Sequence, residues 1–164
     1  MTSRFLSVTV SSLLLSSSAF CQDCASLFEK KVDKFKNETS FNVPGLNNVS
    51  FVKSISPKGT RYYLSLVNTG HTLNVREKGV TVLLSNGTKI VRAQEIIDVE
   101  PDLDHHFGPG DYEYSAFCAI TPAEIARIAK VGITDFRLYI YDFTLTQEQK
   151  EITQERAGCL VSLK

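Results

Sequence analysis

Residues 112–141, YEYSAFCAITPAEIARIAKVGITDFRLYIY, decide the fold of this chain. They begin with apolar or small side chains at every second position, which is the period of a strand with one buried face. Thr121 then supplies an N-cap, Pro122 takes the first helical position and Glu124 completes a capping box, so a helix begins here. Gly132 ends it as a left-handed cap. A helix this short is marginal alone, and we expect it to pack on a sheet.

The residues that follow predict a further strand and a last helix. Ile133–Phe143 carries apolar side chains on both faces, which indicates a central strand covered on both sides. Thr146-Gln147-Glu148-Gln149 is a second capping box. We expect its helix to end at Gly158, which leaves Cys159–Leu163 as a short apolar tail.

The sequence before residue 112 predicts one helix and then several strands. Apolar side chains at near-helical spacing indicate a helix over residues 24–36 with its lysines in solvent, and Pro44 and Gly45 indicate a loop over residues 37–48. Asn86-Gly87 is a strong hairpin signal of the type I′ class. Strands are predicted over Val49–Ser56, Arg61–Val67, Leu73–Glu77, Val80–Leu84, Lys89–Arg92, Ile96–Val99 and Asp111–Ile120.

These elements together predict an α+β chain that is mainly β. We expect an antiparallel β-sandwich-like sheet with an N-terminal helix and two short C-terminal helices packed on it. The segment from Ala119 to Tyr141, with its strand end, Thr-x-x-Glu capped helix, Gly-Ile turn and Phe-Arg strand, resembles segments of uncharacterised secreted bacterial β-sheet proteins. The resemblance implies the compartment and the fold, and it carries over no functional residue.

The first 21 residues have the layout of a secretory signal peptide. Arg4 precedes an uncharged run of apolar and small residues, and a polar sequence follows. We therefore expect residues 1–21 to be removed and residues 22–164 to form a single secreted or periplasmic β-rich domain without stable membrane insertion. An uncleaved membrane anchor is the first alternative, although the many Ser and Thr weaken it. A lipid anchor on Cys21 is the second, although the bulky Phe20 precedes that cysteine.

The balance of charge excludes some partners. Arg4 is the one charged residue of the signal segment, so 18 − 1 = 17 basic residues face 18 acidic residues in the exported chain. A surface that binds nucleic acid or an anionic membrane calls for an excess of basic residues. We expect no nucleic-acid partner, and the overall charge gives no reason to expect a membrane partner.

Three cysteines remain if cleavage follows Cys21. Cys118 lies on the face of its predicted strand that points into the core, where it acts as a small apolar residue. Cys24 and Cys159 flank helices near the two chain ends, and chain ends often lie close together at the surface. We predict a Cys24–Cys159 disulfide in an oxidising compartment, with the other two pairings left open.

The polar loop between the last predicted strands holds the one cluster with ligand chemistry. Carboxylates and imidazoles can bind a metal ion. The weak metal candidates are Asp102, Asp104, His105 and His106. Adjacent histidines of an extended chain point apart, so an exposed soluble loop is the interpretation we favour. A Gly-x-Ser-x-Gly elbow is absent from the sequence.

We therefore expect a secreted or periplasmic binding domain with no catalytic residues and no cofactor, whose partner is unknown and could be another secreted or envelope protein. Two alternatives remain. One is a proteinaceous inhibitor of an extracytoplasmic hydrolase that uses the loop at residues 101–110. The other is a weak metal-assisted hydrolase centred on the loop at residues 100–113.

Overall fold

The computed structural model describes residues 24–43, 48–73, 77–101 and 111–163. A four-residue 3-10 helix, Cys24–Leu27, begins the described chain. The strands are β1 Glu29–Asp33, β2 Glu38–Asn42, β3 Val49–Ser56, β4 Gly59–Gly70, β5 Lys78–Leu84, β6 Lys89–Ile96, β7 Asp98–Pro101, β8 Tyr112–Ile120, β9 Ile133–Leu138 and β10 Tyr141–Thr144. The helices are α1 Pro122–Val131 and α2 Gln147–Ser162.

These strands form two antiparallel sheets, so the predicted α+β and mainly β class is confirmed. One sheet has six strands in the order β1-β2-β3-β4-β8-β7, and the other has four in the order β10-β9-β5-β6. The four-stranded sheet meets the six-stranded one where β6 and β9 contact β8 and where β10 contacts β4. The helices pack on each other, with α1 against β4 and α2 against β3 and β9.

The core lies between one face of the six-stranded sheet, the four-stranded sheet and the helices. In β8 the residues at every second position from Tyr114 to Ile120 are buried, as the alternation predicts, and Cys118 is among them. Leu64 and Leu66 of β4 lie opposite Cys118 and Ala116, so they share this inner face. Each buried aliphatic side chain stabilises the fold by about 1.5–3 kcal/mol relative to an exposed one.

Both capping boxes form as the sequence predicts. Thr121 and Glu124 bond reciprocally at the start of α1, and Thr146 and Gln149 do so at the start of α2. Gly132 follows α1 with a φ of 76°, and its N–H donates to the carbonyl of Ile128. The α2 helix continues past the predicted stop at Gly158 to Ser162, because Gly158 keeps a helical conformation and Cys159 and Leu160 are buried against the core.

The predicted N-terminal helix over residues 24–36 is wrong. The chain makes the 3-10 helix and then turns into β1, which pairs with β2 in the segment predicted as a loop. The lysines expected in solvent on a helix are exposed instead at adjacent positions of β1, Lys30 and Lys31, and in its turn, Lys34 and Lys36. Tertiary pairing with the sheet overrides a local spacing that fits a helix.

The predicted single strand Ile133–Phe143 is a hairpin. Tyr139, with a φ of 57°, and Ile140 form its turn between β9 and β10. A left-handed tyrosine has no sequence signature, because glycine or asparagine is the residue expected there. The β5–β6 hairpin at Asn86-Gly87 is confirmed, but only Gly87 has a positive φ, and its N–H donates to the carbonyl of Leu84.

The remaining boundaries differ less. The β4 strand runs on to Gly70 where a break after Val67 was predicted. The predicted strand Leu73–Glu77 lies largely outside the described residues, as do the signal segment and the candidate ligands Asp102, Asp104, His105 and His106.

Candidate functional site

A groove crosses the solvent face of the four-stranded sheet, and we call it the sheet groove. Its volume is about 510 Å³. The lining comes from all four strands: Thr81 and Leu83 of β5, Lys89 and Val91 of β6, Asp135, Phe136 and Arg137 of β9, and Asp142 and Thr144 of β10. Pockets of this size are within the usual range of about 300–1,000 Å³ for ligand sites.

Strand register brings these side chains onto one face. Thr81 lies opposite both Arg137 and Val91, so the three belong to the same surface. Buried side chains of β5, such as Val82, alternate with Thr81 and face the core. The two-residue period therefore gives each strand an inward apolar row and an outward, mostly polar row. The outward row lines the sheet groove, and the buried Phe136 is the lining residue that comes from the inward row.

An ion pair spans the β9–β10 side of the groove. The Arg137 Nη2 donates to Asp142 Oδ2 at 2.7 Å, and its Nε donates to Asp142 Oδ1. These hydrogen bonds raise the pKa of Arg137 and lower the pKa of Asp142, since each favours the charged form of both groups. Both side chains are exposed, so the pair adds little to stability but fixes the direction of a planar, charged guanidinium.

A second cross-strand bond lies beside it. Thr144 Oγ1 donates to Asp135 Oδ1 at 2.7 Å. On the other side of the groove, Lys89 is exposed and forms no ion pair with any residue of the described chain. The floor between these polar groups includes Leu83, which is half-buried, and Val91, which is 53% exposed. The groove thus offers two preset polar pairs, an unpaired ammonium and an apolar strip.

A polar and aromatic cluster gathers at the end of β4. His71 Nδ1 lies 2.6 Å from Asp111 Oδ1, and Thr72 Oγ1 lies 2.6 Å from the hydroxyl of Tyr141. The Tyr114 hydroxyl donates to the carbonyl of Thr72, and its ring lies 4.7 Å from that of Tyr141. These contacts join the segment after β4 to β8 and β10, so they hold the two sheets together.

The cysteines behave as the sequence predicts. A disulfide joins Cys24 and Cys159, whose Cα atoms lie 5.3 Å apart, and Cys118 is free and buried. Burial, with a smaller contribution from Glu95, raises the pKa of the Cys118 thiol to about 12. The thiol therefore stays protonated at neutral pH, which is the unreactive form.

The predicted metal ligands cannot be placed, because residues 102–110 lie outside the described ones. Of the residues around that loop, Asp111 contacts His71 and Glu113 lies opposite Glu100 across β7 and β8. Within the described ranges, no three or more His, Cys, Asp or Glu side chains come together as a metal-binding group.

Sequence reasoning missed the sheet groove. The usable signal was the polar row at every second position, Asp135 and Arg137 in β9 and Asp142 and Thr144 in β10. Treating Ile133–Phe143 as one strand put Arg137 and Asp142 far apart, whereas the turn at Tyr139 places them opposite each other.

Neither described helix combines the length and the apolar character that crossing a membrane requires. Comparison of the chain with protein-family models, with curated proteins and with solved structures finds no match.

Proposed function

We propose that this protein is a non-catalytic binding domain of the secreted or periplasmic compartment, and that the sheet groove binds a segment of another secreted or envelope protein. The observation that carries the proposal is the groove of about 510 Å³ with its Arg137–Asp142 and Asp135–Thr144 pairs already formed. Side chains that are ordered before binding lose little conformational entropy when a partner arrives, which favours affinity.

The chemistry of the lining indicates the kind of segment that fits. Lys89 attracts a carboxylate, and the outer edge of the Arg137–Asp142 pair can bond to backbone amides and carbonyls. The strip of Leu83 and Val91 suits one or two apolar side chains. A polar peptide with an acidic residue next to an apolar one matches all three features.

The proposed compartment rests on the signal layout and agrees with the disulfide between Cys24 and Cys159, because structural disulfides form mainly in oxidising environments. The exported protein is expected to start between Phe20 and Asp23 with no lipid on Cys21. Mass spectrometry of the exported protein measures both, and a diacylglycerol adduct on Cys21 would contradict the expected form.

Site-specific photocrosslinking tests the groove. A photoreactive residue replaces Val91, which is 53% exposed in the groove, and a matched control replaces Phe117, which is 51% exposed on the other sheet. The protein is irradiated in its native extracytoplasmic extract. We expect one discrete adduct from position 91 and none of that mass from position 117.

The same adduct is expected to weaken when Lys89→Glu is added, because the variant repels the acidic residue of the partner. Arg127→Glu, an exposed change on α1, serves as the charge control and leaves the adduct intact. Equal adducts from positions 91 and 117, or none from position 91, would contradict a binding role for the groove.

A further inference from the structure

Two neighbouring turns at one end of the six-stranded sheet form a second surface, which we call the basic tip. It consists of Lys34, Phe35 and Lys36 from the β1–β2 turn and Lys58 and Arg61 from the β3–β4 hairpin. The sheet groove lies on the other sheet, so the basic tip is independent of the proposed binding function.

Phe35 is fully exposed, with 103% of the reference accessibility of its side chain. The hydrogen bonds of the β1–β2 turn hold Phe35 in this exposed position. Asp33 Oδ1 accepts hydrogen bonds from the backbone N–H of Phe35 at 2.9 Å and of Lys36 at 3.1 Å, and Asn37 completes the turn with a φ of 49°. An aromatic ring held in water gains nothing for the fold, because it buries no surface.

A cavity of about 330 Å³ lies between the two turns, and Lys36, the next residue after Phe35, lines it. Its cations are Lys36, Lys58 and Arg61, and Ser54, Ser56 and the carboxylate of Glu38 also line it, with Glu38 accepting the hydrogen bond of the Ser54 hydroxyl. Lys58 and Arg61 form no ion pair with any residue that the structure describes. An ammonium and a guanidinium without a carboxylate partner suit the oxygens of a phosphate.

The acidic groups of the tip are already engaged. Glu38 Oε1 accepts a hydrogen bond from Ser54 Oγ at 2.6 Å, and the carboxylate of Asp33 binds the turn amides and lies 3.9 Å from Lys36 Nζ. Counting Lys34, Lys36, Lys58 and Arg61 against these two carboxylates leaves 4 − 2 = +2 at the tip. An approaching surface meets this local charge, although the exported chain as a whole is close to neutral.

We infer that the basic tip docks on an anionic lipid surface, with Phe35 inserted between the headgroups and Lys36, Lys58 and Arg61 on their phosphates. An exposed aromatic ring among basic side chains matches the chemistry of the interface, where aromatic rings sit at headgroup level and cations meet anionic lipid. The positive charge of the tip is opposite to the negative charge of the headgroups, and the cations around the cavity can bind one phosphate.

The chain contains no tryptophan, so a single introduced tryptophan reports its own environment. Phe35→Trp is mixed, in the exported form of the protein, with vesicles of phosphatidylglycerol and phosphatidylcholine or of phosphatidylcholine alone. Ile140→Trp is the matched control, since Ile140 is 59% exposed in the β9–β10 turn of the four-stranded sheet. We expect a blue shift of emission for Phe35→Trp with anionic vesicles only, and no shift for Ile140→Trp.

Co-sedimentation with the same vesicles measures the electrostatic part. Lys58→Glu combined with Arg61→Glu is expected to lower binding by about tenfold or more, and added salt is expected to weaken binding of the unmodified protein. Arg127→Glu with Lys130→Glu, two exposed changes on α1, is expected to leave binding unchanged. All four positions are exposed, so the variants keep the fold.

Three results would overturn the inference. The first is an absence of binding to anionic vesicles. This result overturns the inference even if inorganic phosphate or an acidic protein segment binds at the cavity. The second is equal loss of binding in the tip variants and in the α1 control. The third is a shift of the Ile140→Trp emission that matches that of Phe35→Trp.

Discussion

Lys53 joins the six-stranded sheet to the end of α2: its ammonium Nζ lies 3.4 Å from the carbonyl oxygen of Leu160 and also donates to the carbonyl of Leu163. The side chain is only 4% exposed and forms no ion pair within the described residues. Its charge is stabilised by the carbonyls at a helix C-terminus and by the ring of Tyr62, whose centroid is 5.6 Å away. A buried cation thus ties the sheet to the helix through the carbonyls of Leu160 and Leu163.

Lys53→Met is expected to change how stability depends on pH. Burial lowers the pKa of Lys53 below 10.5, its ordinary value. Between the lowered pKa and the ordinary one the unfolded chain binds more protons than the folded chain, so the free energy of unfolding contributed by Lys53 rises with pH. The variant lacks this contribution. Urea unfolding from pH 7 toward 10.5 is therefore expected to show the variant losing stability relative to the unmodified protein, and the opposite slope would contradict the buried charge.

Glu124→Gln is expected to weaken α1 at neutral pH but not in acid. Burial opposes the ionisation of Glu124, but hydrogen bonds from Arg92 at 2.6 Å and from Thr121 outweigh it, so its pKa lies below 4.5. Glutamine keeps the capping box, as Gln149 does at α2, and loses the charge that Arg92 faces.

The expected loss is about 1–2 kcal/mol above pH 4.5, because hydrogen bonds to charged groups contribute more than neutral ones. The carboxylate's contribution is lost as pH falls through the lowered pKa, so the two proteins should converge in stability in acid. Thermal unfolding of both across pH 3–7 checks the sign. A difference in stability between the two proteins that stays constant down to pH 3 would show that the charge of Glu124 does not stabilise the fold.

Local signals account for what the sequence predicts well. The capping boxes at Thr121 and Thr146, the alternation in β8 and the hairpin at Asn86-Gly87 depend on neighbours within a few residues, and all appear in the structure. The elements that were missed depend on distant pairing. The β1 strand exists because it pairs with β2, and the β9–β10 hairpin turns at a left-handed tyrosine that no local rule favours.

In the sheet groove too, features that depend on local sequence could be predicted, and features that depend on distant pairing could not. The outward position of Arg137 could be predicted from the two-residue period, since Phe136 and Leu138 are buried on either side of it. Its partner Asp142 could not, because their pairing depends on where the hairpin turns. The basic tip could not be predicted from the sequence for a related reason. Lys58 and Arg61 lie more than twenty residues after Lys36 in the chain, and the two turns come together only because their strands pair in one sheet.

Gly70→Ala is expected to destabilise the contact between the sheets. A Cβ built at Gly70 would lie 2.5 Å from the Tyr141 ring and 2.7 Å from the Tyr114 ring, so both rings would have to move. Overpacking of this kind costs about 1–3 kcal/mol. The matched control is Gly158→Ala, where nothing lies within 4 Å of the new Cβ and the residue is inside α2.

That control is expected to raise stability by about 0.5–1 kcal/mol, because alanine is the better helix former. Denaturant unfolding of both variants therefore gives changes of opposite sign. A loss at Gly158 as large as the one at Gly70 would show that the effect comes from replacing glycine in general and not from the two tyrosine rings.

Removing the disulfide is expected to give the largest loss of stability among these changes. Cys24 and Cys159 are separated by 135 positions in the sequence, and their bond ties the 3-10 helix to the last turns of α2. Closing so long a loop restricts the unfolded chain by about 5 kcal/mol in the chain-entropy model, which is an upper value. Cys24→Ser with Cys159→Ser should therefore unfold at much lower urea concentration than the unmodified protein, and adding a thiol reductant should remove this difference between the two proteins.

Cys118→Ala is the control, because the free, buried Cys118 takes no part in the bond and its variant should still respond to the reductant. A Cys118→Ala variant that no longer responds would show that Cys118 takes part in the bond, and the Cys24–Cys159 pairing would be wrong.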